Sequence, residues 1–242
     1  MTTATDVIWH DVECGAYEAD LKLWRELARA EGGPVLDVGA GTGRVALRLA
    51  HAGHEVTALD RDPALLVVLA DRASAAGVHV ETVVADAAAF ELPRRFALIA
   101  VPMQTLQLLP GPAERAGFYA AAARALAPGG LVAAAIADAL EAFDEEAPLP
   151  LPDMGEAEGV QYLSQPVAVR EQGPSVRIER IRQIVAPDGG RTSEDDVVLL
   201  ARLDADAVAR EAAPHGLRAE EPRVVPPTDE HVGSTVVMLR GA

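Results

Sequence analysis

Val35-Leu36-Asp37-Val38-Gly39-Ala40-Gly41-Thr42-Gly43-Arg44 is the stretch on which the reading of this chain turns. Residues 35–38 are apolar apart from Asp37 and predict a short strand. Three glycines within positions 39–43 then allow a tight turn and let a ligand approach the backbone closely. Apolar residues resume over 42–52 at helical spacing, so a helix follows. Strand, glycine turn and helix in this order say that some nucleotide-like molecule binds there. Spacing and charge narrow the choice. A dinucleotide fingerprint, G-x-G-x-x-G, seats an anionic pyrophosphate on a helix N-terminus. Here the glycines run G-x-G-x-G, and Asp37 stands two residues before Gly39. A carboxylate at that point repels pyrophosphate and suits an ammonium or a sulfonium. No Gly-Lys-Ser or Gly-Lys-Thr follows, which excludes a Walker A loop.

Outward from this stretch the pattern repeats. Upstream, Leu21, Trp24, Leu27 and Ala28 recur at helical spacing over 17–30, and Gly32-Gly33-Pro34 stops the helix. Downstream, apolar runs at 55–59, 79–84, 96–101 and 131–137 predict strands, and 63–76 and 112–126 predict helices. Nearly all-apolar strands alternating with helices indicate a parallel sheet covered on both faces, a doubly wound Rossmann-like α/β core. After Ala137 the texture changes. Residues 139–159 are acidic and proline-rich and read as a loop. Residues 161–170, 175–185 and 197–203 predict an antiparallel β insertion of about three strands. A helix over 204–213 and strands over 217–225 and 234–240 complete the core. The expectation is a single domain: an N-terminal helical cap (1–33), a cofactor-binding core (34–138), a β lid (139–203), and a final helix with two strands (204–242).

The chain has 242 residues, a net charge of −16 and a pI near 4.7, which argues against diffuse binding to nucleic acid or an anionic membrane. Cys14 is the one cysteine, so neither an intrachain disulfide nor a zinc cluster is available, and no metal is expected. Residues 1–13 carry Asp6, Asp11 and Glu13 but neither a basic cluster nor an apolar run, unlike a secretory signal. With no apolar stretch of about 18 residues, the expectation is a cytoplasmic protein.

Two further acids sit where strands end. Asp60 closes the second strand, where a carboxylate can accept hydrogen bonds from both hydroxyls of a ribose. Asp86, after the third strand, is placed to accept from an adenine amino group. A cationic amino acid at Asp37 and a ribose at Asp60 are both found in S-adenosylmethionine.

With these residues in place the chain resembles the class I S-adenosylmethionine-dependent methyltransferases, in their small-molecule branch. Residues 35–43 are similar to the family's first motif, Thr57-Ala58-Leu59-Asp60-Arg61 to its acidic second, Ala85-Asp86-Ala87 to its third, and Leu126-Ala127-Pro128-Gly129-Gly130-Leu131 to the turn before its fifth strand. The resemblance implies a seven-stranded sheet with the last strand antiparallel. It also implies that Asp37 and the loop Gly39, Ala40, Gly41, Thr42 and Gly43 face the methionine part, Asp60 with Arg61 the ribose, and Asp86 with Ala87 the adenine. Tyr17, in the aromatic and acidic stretch before the first strand, and Val101 and Gln107, around the fourth strand's loop, complete the expected cofactor contacts. The β insertion resembles the variable cap that closes over small acceptors.

The family's Asp or Asn-Pro-Pro-Tyr element, which grips a nucleobase or amide nitrogen, is absent. Ala100-Val101-Pro102-Met103-Gln104 stands in its place, which counts against nucleic acid as substrate. Methyl transfer from a sulfonium is an in-line displacement and needs no protein nucleophile. Where the acceptor must lose a proton, His10, His231 and Asp138 are the candidate bases. The expected reaction is methylation of an oxygen or nitrogen of a small molecule. Two other readings stand beside it: a methyltransferase-like cofactor-binding or scaffolding subunit without turnover, and a nicotinamide-dependent oxidoreductase, which the glycine spacing and Asp37 disfavour. Oligomeric state is not legible.

Overall fold

The computed structural model describes residues 4–144, 146, 148–228 and 231–242. The chain opens with α1 (Ala4–His10), which runs on into one π-helical turn (Asp11–Gly15). Next come α2 (Leu21–Glu31), β1 (Val35–Val38), α3 (Arg44–His51), β2 (Val56–Asp60), α4 (Pro63–Ala75), β3 (Glu81–Val84), β4 (Phe96–Val101), α5 (Pro112–Ala125) and β5 (Leu126–Ile136). Proline opens both α4 and α5, where its missing N–H and fixed φ fit the first helical turn. Asp62 caps α4 by accepting from the Ala64 N–H at 2.9 Å.

A separate antiparallel sheet follows, of β6 (Asp153–Ala157), β7 (Val160–Gln172), β8 (Ser175–Val185) and β9 (Arg191–Ala201) in that order. The chain then returns to the core through α6 (Ala205–Ala212), β10 (Arg218–Ala219), β11 (Arg223–Val225) and β12 (Ser234–Arg240).

The main sheet runs β3-β2-β1-β4-β5-β12, with β10 and β11 both pairing on the outer side of β12. β1 to β5 are parallel, and β12 is antiparallel to β5, with Thr235 opposite Ile136. If β10 and β11 are taken as one edge strand interrupted near Pro222, the sheet has the seven positions expected, and β12 is the antiparallel one. Alternation along β1 divides the core: Val35 packs with Trp24, Leu27 and Leu49 on one side, Leu36 and Val38 with Phe118 and Ala122 on the other. Asp37 shares the face of Val35. β1 lies between β2 and β4, where the direction of winding reverses, and in such sheets ligands bind in the crevice at the carboxyl ends of the strands there.

Three elements differ from expectation. The insertion has four strands, because Asp153–Ala157 pairs with β7 across a two-residue hairpin turn. Glu158 and Gly159, at φ 53 and 78, both take the positive φ such a turn needs. β9 begins at Arg191 rather than Val197, since the charged run opposes basic residues of β8, with Asp196 facing Arg180 and Glu194 facing Arg182. The helix expected over 17–30 starts at Leu21, and α1 with its π-helical turn precedes it within the N-terminal cap. No helix among the described residues is long and apolar enough to cross a membrane.

Candidate functional site

The loop after β1 is held by backbone. The N–H groups of Gly39 and Ala40 donate to Leu59 O at 2.8 and 3.1 Å, and Gly43 N–H donates to Ala40 O at 2.9 Å. Gly39, Gly41 and Gly43 have φ of 72°, 55° and 96°, which side chains rarely adopt. Space excludes a side chain as well: a Cβ on Gly39 would lie 2.5 Å from Thr105 Cγ2, and one on Gly41 would strike the His10 ring. Gly41→Ala should therefore destabilise the protein by about 1–3 kcal/mol through left-handed strain and displacement of His10. Thermal unfolding measures this, and an unchanged midpoint would show that neither constraint holds.

Asp60 ends β2 with both carboxylate oxygens fixed. Oδ2 accepts from Gly41 N–H at 2.8 Å and Oδ1 from Asp62 N–H at 2.9 Å. Each oxygen keeps a second lone pair for a ligand. Arg61 follows it and is exposed.

Asp37 is 1% exposed, and neither of its oxygens has a hydrogen-bond partner among the described residues. The Ala46 N–H in the first turn of α3 approaches it without forming a bond of good geometry. Burial pushes its carboxyl up to about 7, although Arg44 pulls the other way. Arg44 is committed elsewhere, to Asp20 at 2.5 and 2.8 Å and to the Tyr17 carbonyl at 2.7 Å. A buried carboxylate without a partner needs a reason, and beside a glycine turn the natural one is a cationic ligand.

Asp86 is exposed at the end of β3, and its Oδ1 accepts from Ala88 N–H at 2.8 Å, which shapes the turn containing Ala87. Val101 is 1% exposed at the end of β4. Gln107 is used up by backbone: its Nε2 donates to Ala137 O and Ala201 O at 3.2 and 3.0 Å, and its Oε1 accepts from Ala137 N–H at 2.8 Å. It laces β5 to β9 rather than presenting its amide to a ligand. Thr42 is buried and donates its hydroxyl to Asp11 at 2.6 Å.

The candidate bases are not brought to one place. His10 lies against Gly41, with its Nδ1 buried and unpartnered among the described residues. Burial lowers its pKa despite the nearby Asp11 and Asp60, so it is neutral at pH 7. His231 stands before β12, and its ring lies tilted against Tyr17 with ring centroids 5.0 Å apart. The Tyr17 hydroxyl is buried beside Ser234. Asp138 is exposed in a different place, a cavity of about 330 Å³ lined by Gln107, Ala137, Val169, Val176 and Arg202 beyond the end of β5.

Sequence reasoning missed Glu13, which the fold joins to the β insertion, and Thr105, which fills the space over Gly39. Both contacts join residues far apart in the chain, and no local pattern announces them.

Comparison with known proteins fits this geometry. Residues 35–130 match a family model described as a methyltransferase domain. No curated protein matches the chain. Among solved structures, an amino pentose methyltransferase of calicheamicin biosynthesis, CalS10 from Micromonospora echinaspora, solved with S-adenosylmethionine bound, is 19% identical with a TM-score of 0.72, covering 100% of this chain and 98% of its own. The sugar N-methyltransferase KedS8 from Streptoalloteichus is 19% identical with a TM-score of 0.75, covering 100% and 94%. The glycopeptide N-methyltransferase MtfA in complex with S-adenosylmethionine is 26% identical with a TM-score of 0.57, covering 94% and 96%. Over residues 35–130 the chain thus carries a methyltransferase domain, in a fold similar to that of solved methyltransferases with S-adenosylmethionine bound.

Proposed function

We propose that this methyltransferase domain transfers the methyl group to a nitrogen or oxygen of a small polar molecule. S-adenosylmethionine supplies an electrophilic methyl on a positively charged sulfur. In this reading Asp37 takes the ammonium of the amino-acid part, and the Gly39–Gly43 loop packs against it. Asp60 accepts from the ribose hydroxyls and Asp86 from the adenine amino group. Ala87 and Val101 wall the ring and the sulfonium, Arg61 flanks the ribose, and Tyr17 closes the far side. The Asp37 carboxyl carries this assignment, because neither of its buried oxygens has a hydrogen-bond partner among the described residues.

The β6–β9 sheet packs on residues 9–13, which lie against the glycine loop, and this supports a small acceptor. The structural neighbours act, by their names, on an amino pentose, a sugar and a glycopeptide. The charge of −16 weighs against nucleic acid. Incubation with methyl-labelled cofactor and separate pools of amino sugars, hydroxylated small molecules, DNA and tRNA tests the reading. Label is expected in a small-molecule pool, and transfer to nucleic acid instead would overturn it.

Binding through Asp37 predicts a pH dependence. The free carboxyl titrates near 7, and an ammonium binds its ionised form. Affinity for S-adenosylhomocysteine should therefore rise about tenfold per pH unit below about 7 and level off above it. Calorimetry across this range checks the sign, and a flat profile would remove the ammonium from Asp37.

For an acceptor that must shed a proton, His231 is the base in this reading. It precedes β12, whose first residues pair with the end of β5, and its ring lies against Tyr17. His231→Ala should lower turnover about 100-fold and leave cofactor affinity in place. Equal turnover would assign the proton to another group.

A further inference from the structure

The residues between Trp9 and Glu13 reach in two directions. Asp11 accepts from the Thr42 hydroxyl in the glycine loop at 2.6 Å and from Arg72 of α4 at 3.0 and 2.5 Å. His10 beside it rests on Gly41. Two residues on, Glu13 turns to the other sheet. It accepts from Ser164 of β7 at 2.8 Å and from Arg182 of β8 at 2.8 and 2.9 Å, and it pairs with Arg180 at 3.0 Å. Trp9 packs edge-on against Tyr162 with centroids 5.2 Å apart, and the Arg182 guanidinium lies over the Trp9 ring. Gly155 of β6 leaves room for Val12, since a Cβ there would lie 2.7 Å from the valine Cγ2.

Charge makes the second anchor demanding. Arg180 and Arg182 are two residues apart on β8 and so share one face of the sheet, each less than one-fifth exposed. Their mutual repulsion is relieved by Glu13, with Asp196 helping at 3.0 Å from Arg182. The lid sheet's inward charge is thus balanced by a residue of the N-terminal segment, the same segment that covers the glycine loop. A ligand reaching Gly41 has to displace His10 or pass beneath it, so cofactor entry and the position of this segment are linked.

We propose that residues 9–13 form a strap that transmits cofactor binding to the β6–β9 lid, with Glu13 as the positioning residue. The proposal rests on the assignment of the Asp37, Asp60 and Asp86 crevice to S-adenosylmethionine. Asp11 and His10 rest on the loop, and a cofactor seated beneath them fixes the loop and the strap together. Glu13 then holds β7 and β8 over the space left for the acceptor. The order of binding follows: cofactor first, acceptor second. By reciprocity, a lid held closed strengthens cofactor binding.

Hydrogen exchange on the full chain, with and without S-adenosylhomocysteine, tests this. In the wild type the ligand should slow exchange in β7 and β8 as well as in the glycine loop. Glu13→Gln should still bind it, about fivefold more weakly or less, with protection confined to the loop and the lid's exchange unchanged by ligand. Glu13→Asp, which keeps the charge, should restore part of the lid's response. If Glu13→Gln does not fold, Asp11→Asn makes the same cut from the other end and should also uncouple the lid. A wild-type lid indifferent to a bound ligand, or a Glu13→Gln lid that responds as the wild type does, overturns the strap and leaves the cofactor assignment standing. No ligand binding to the wild type overturns the assignment and the strap together.

Discussion

Replacing Asp60 by alanine should weaken S-adenosylhomocysteine binding by about 3 kcal/mol or more, roughly 150-fold, because the proposed ribose assignment gives Asp60 two charge-assisted hydrogen bonds that are lost at once. A second loss adds to the first. Asp60 Oδ2 holds the Gly41 N–H at 2.8 Å, so the glycine loop is freed at the point where it has least intrinsic preference for one conformation. Asp62 provides the control. It is also an aspartate beside the crevice, but its side chain caps α4 through Ala64. Asp62→Ala should cost about 1 kcal/mol of stability with little change in affinity. Calorimetry and thermal unfolding on the two variants separate these effects. Unchanged affinity in Asp60→Ala would refute the ribose assignment.

Asp37→Asn should separate stability from binding. Burial raises the Asp37 carboxyl from an ordinary 3.8 to about 7. Between those values the folded chain holds a proton that the unfolded chain has released, so stability falls as pH rises through that window. Above about 7 the buried charge imposes its full cost. Without ligand, the asparagine variant should thus be more stable than the wild type at pH 8, by about 1–3 kcal/mol. The gain should shrink as pH falls toward 4. With Asp37 on the ligand's ammonium, as proposed, the same change removes that anion, and affinity at pH 8 should drop about 100-fold and lose its pH dependence. A variant that is both less stable at pH 8 and unimpaired in binding would contradict this account of Asp37.

Much of this was legible because local pattern and tertiary role agree. Asp37, Asp60 and Asp86 each interrupt or end a short apolar strand, and in a parallel sheet the ends of successive strands share one edge. Their common edge therefore followed from strand spacing. The glycine triplet was legible for the same reason, since three positive φ values leave few alternatives to glycine.

What was not legible depended on distance along the chain. Glu13 and Arg182 are 169 positions apart, and each reads alone as an ordinary surface charge. β6 was hidden in acidic, proline-rich sequence, because the turn Glu158-Gly159 looks like any polar loop until its partner strand is known. Gln107 illustrates the opposite error. A glutamine beside a crevice suggests a ligand contact, yet a buried amide meets its hydrogen-bonding needs wherever backbone is offered, here at Ala137 and Ala201.

The proposed function places S-adenosylmethionine in the crevice between Asp37, the Gly39–Gly43 loop, Asp60 and Asp86. Calorimetric titration of the wild-type protein at pH 8 with S-adenosylmethionine, S-adenosylhomocysteine and NAD tests it directly. Saturable one-to-one binding of the first two is expected, and none of NAD. Absence of heat with both adenosyl compounds, or binding of NAD in their place, would contradict it.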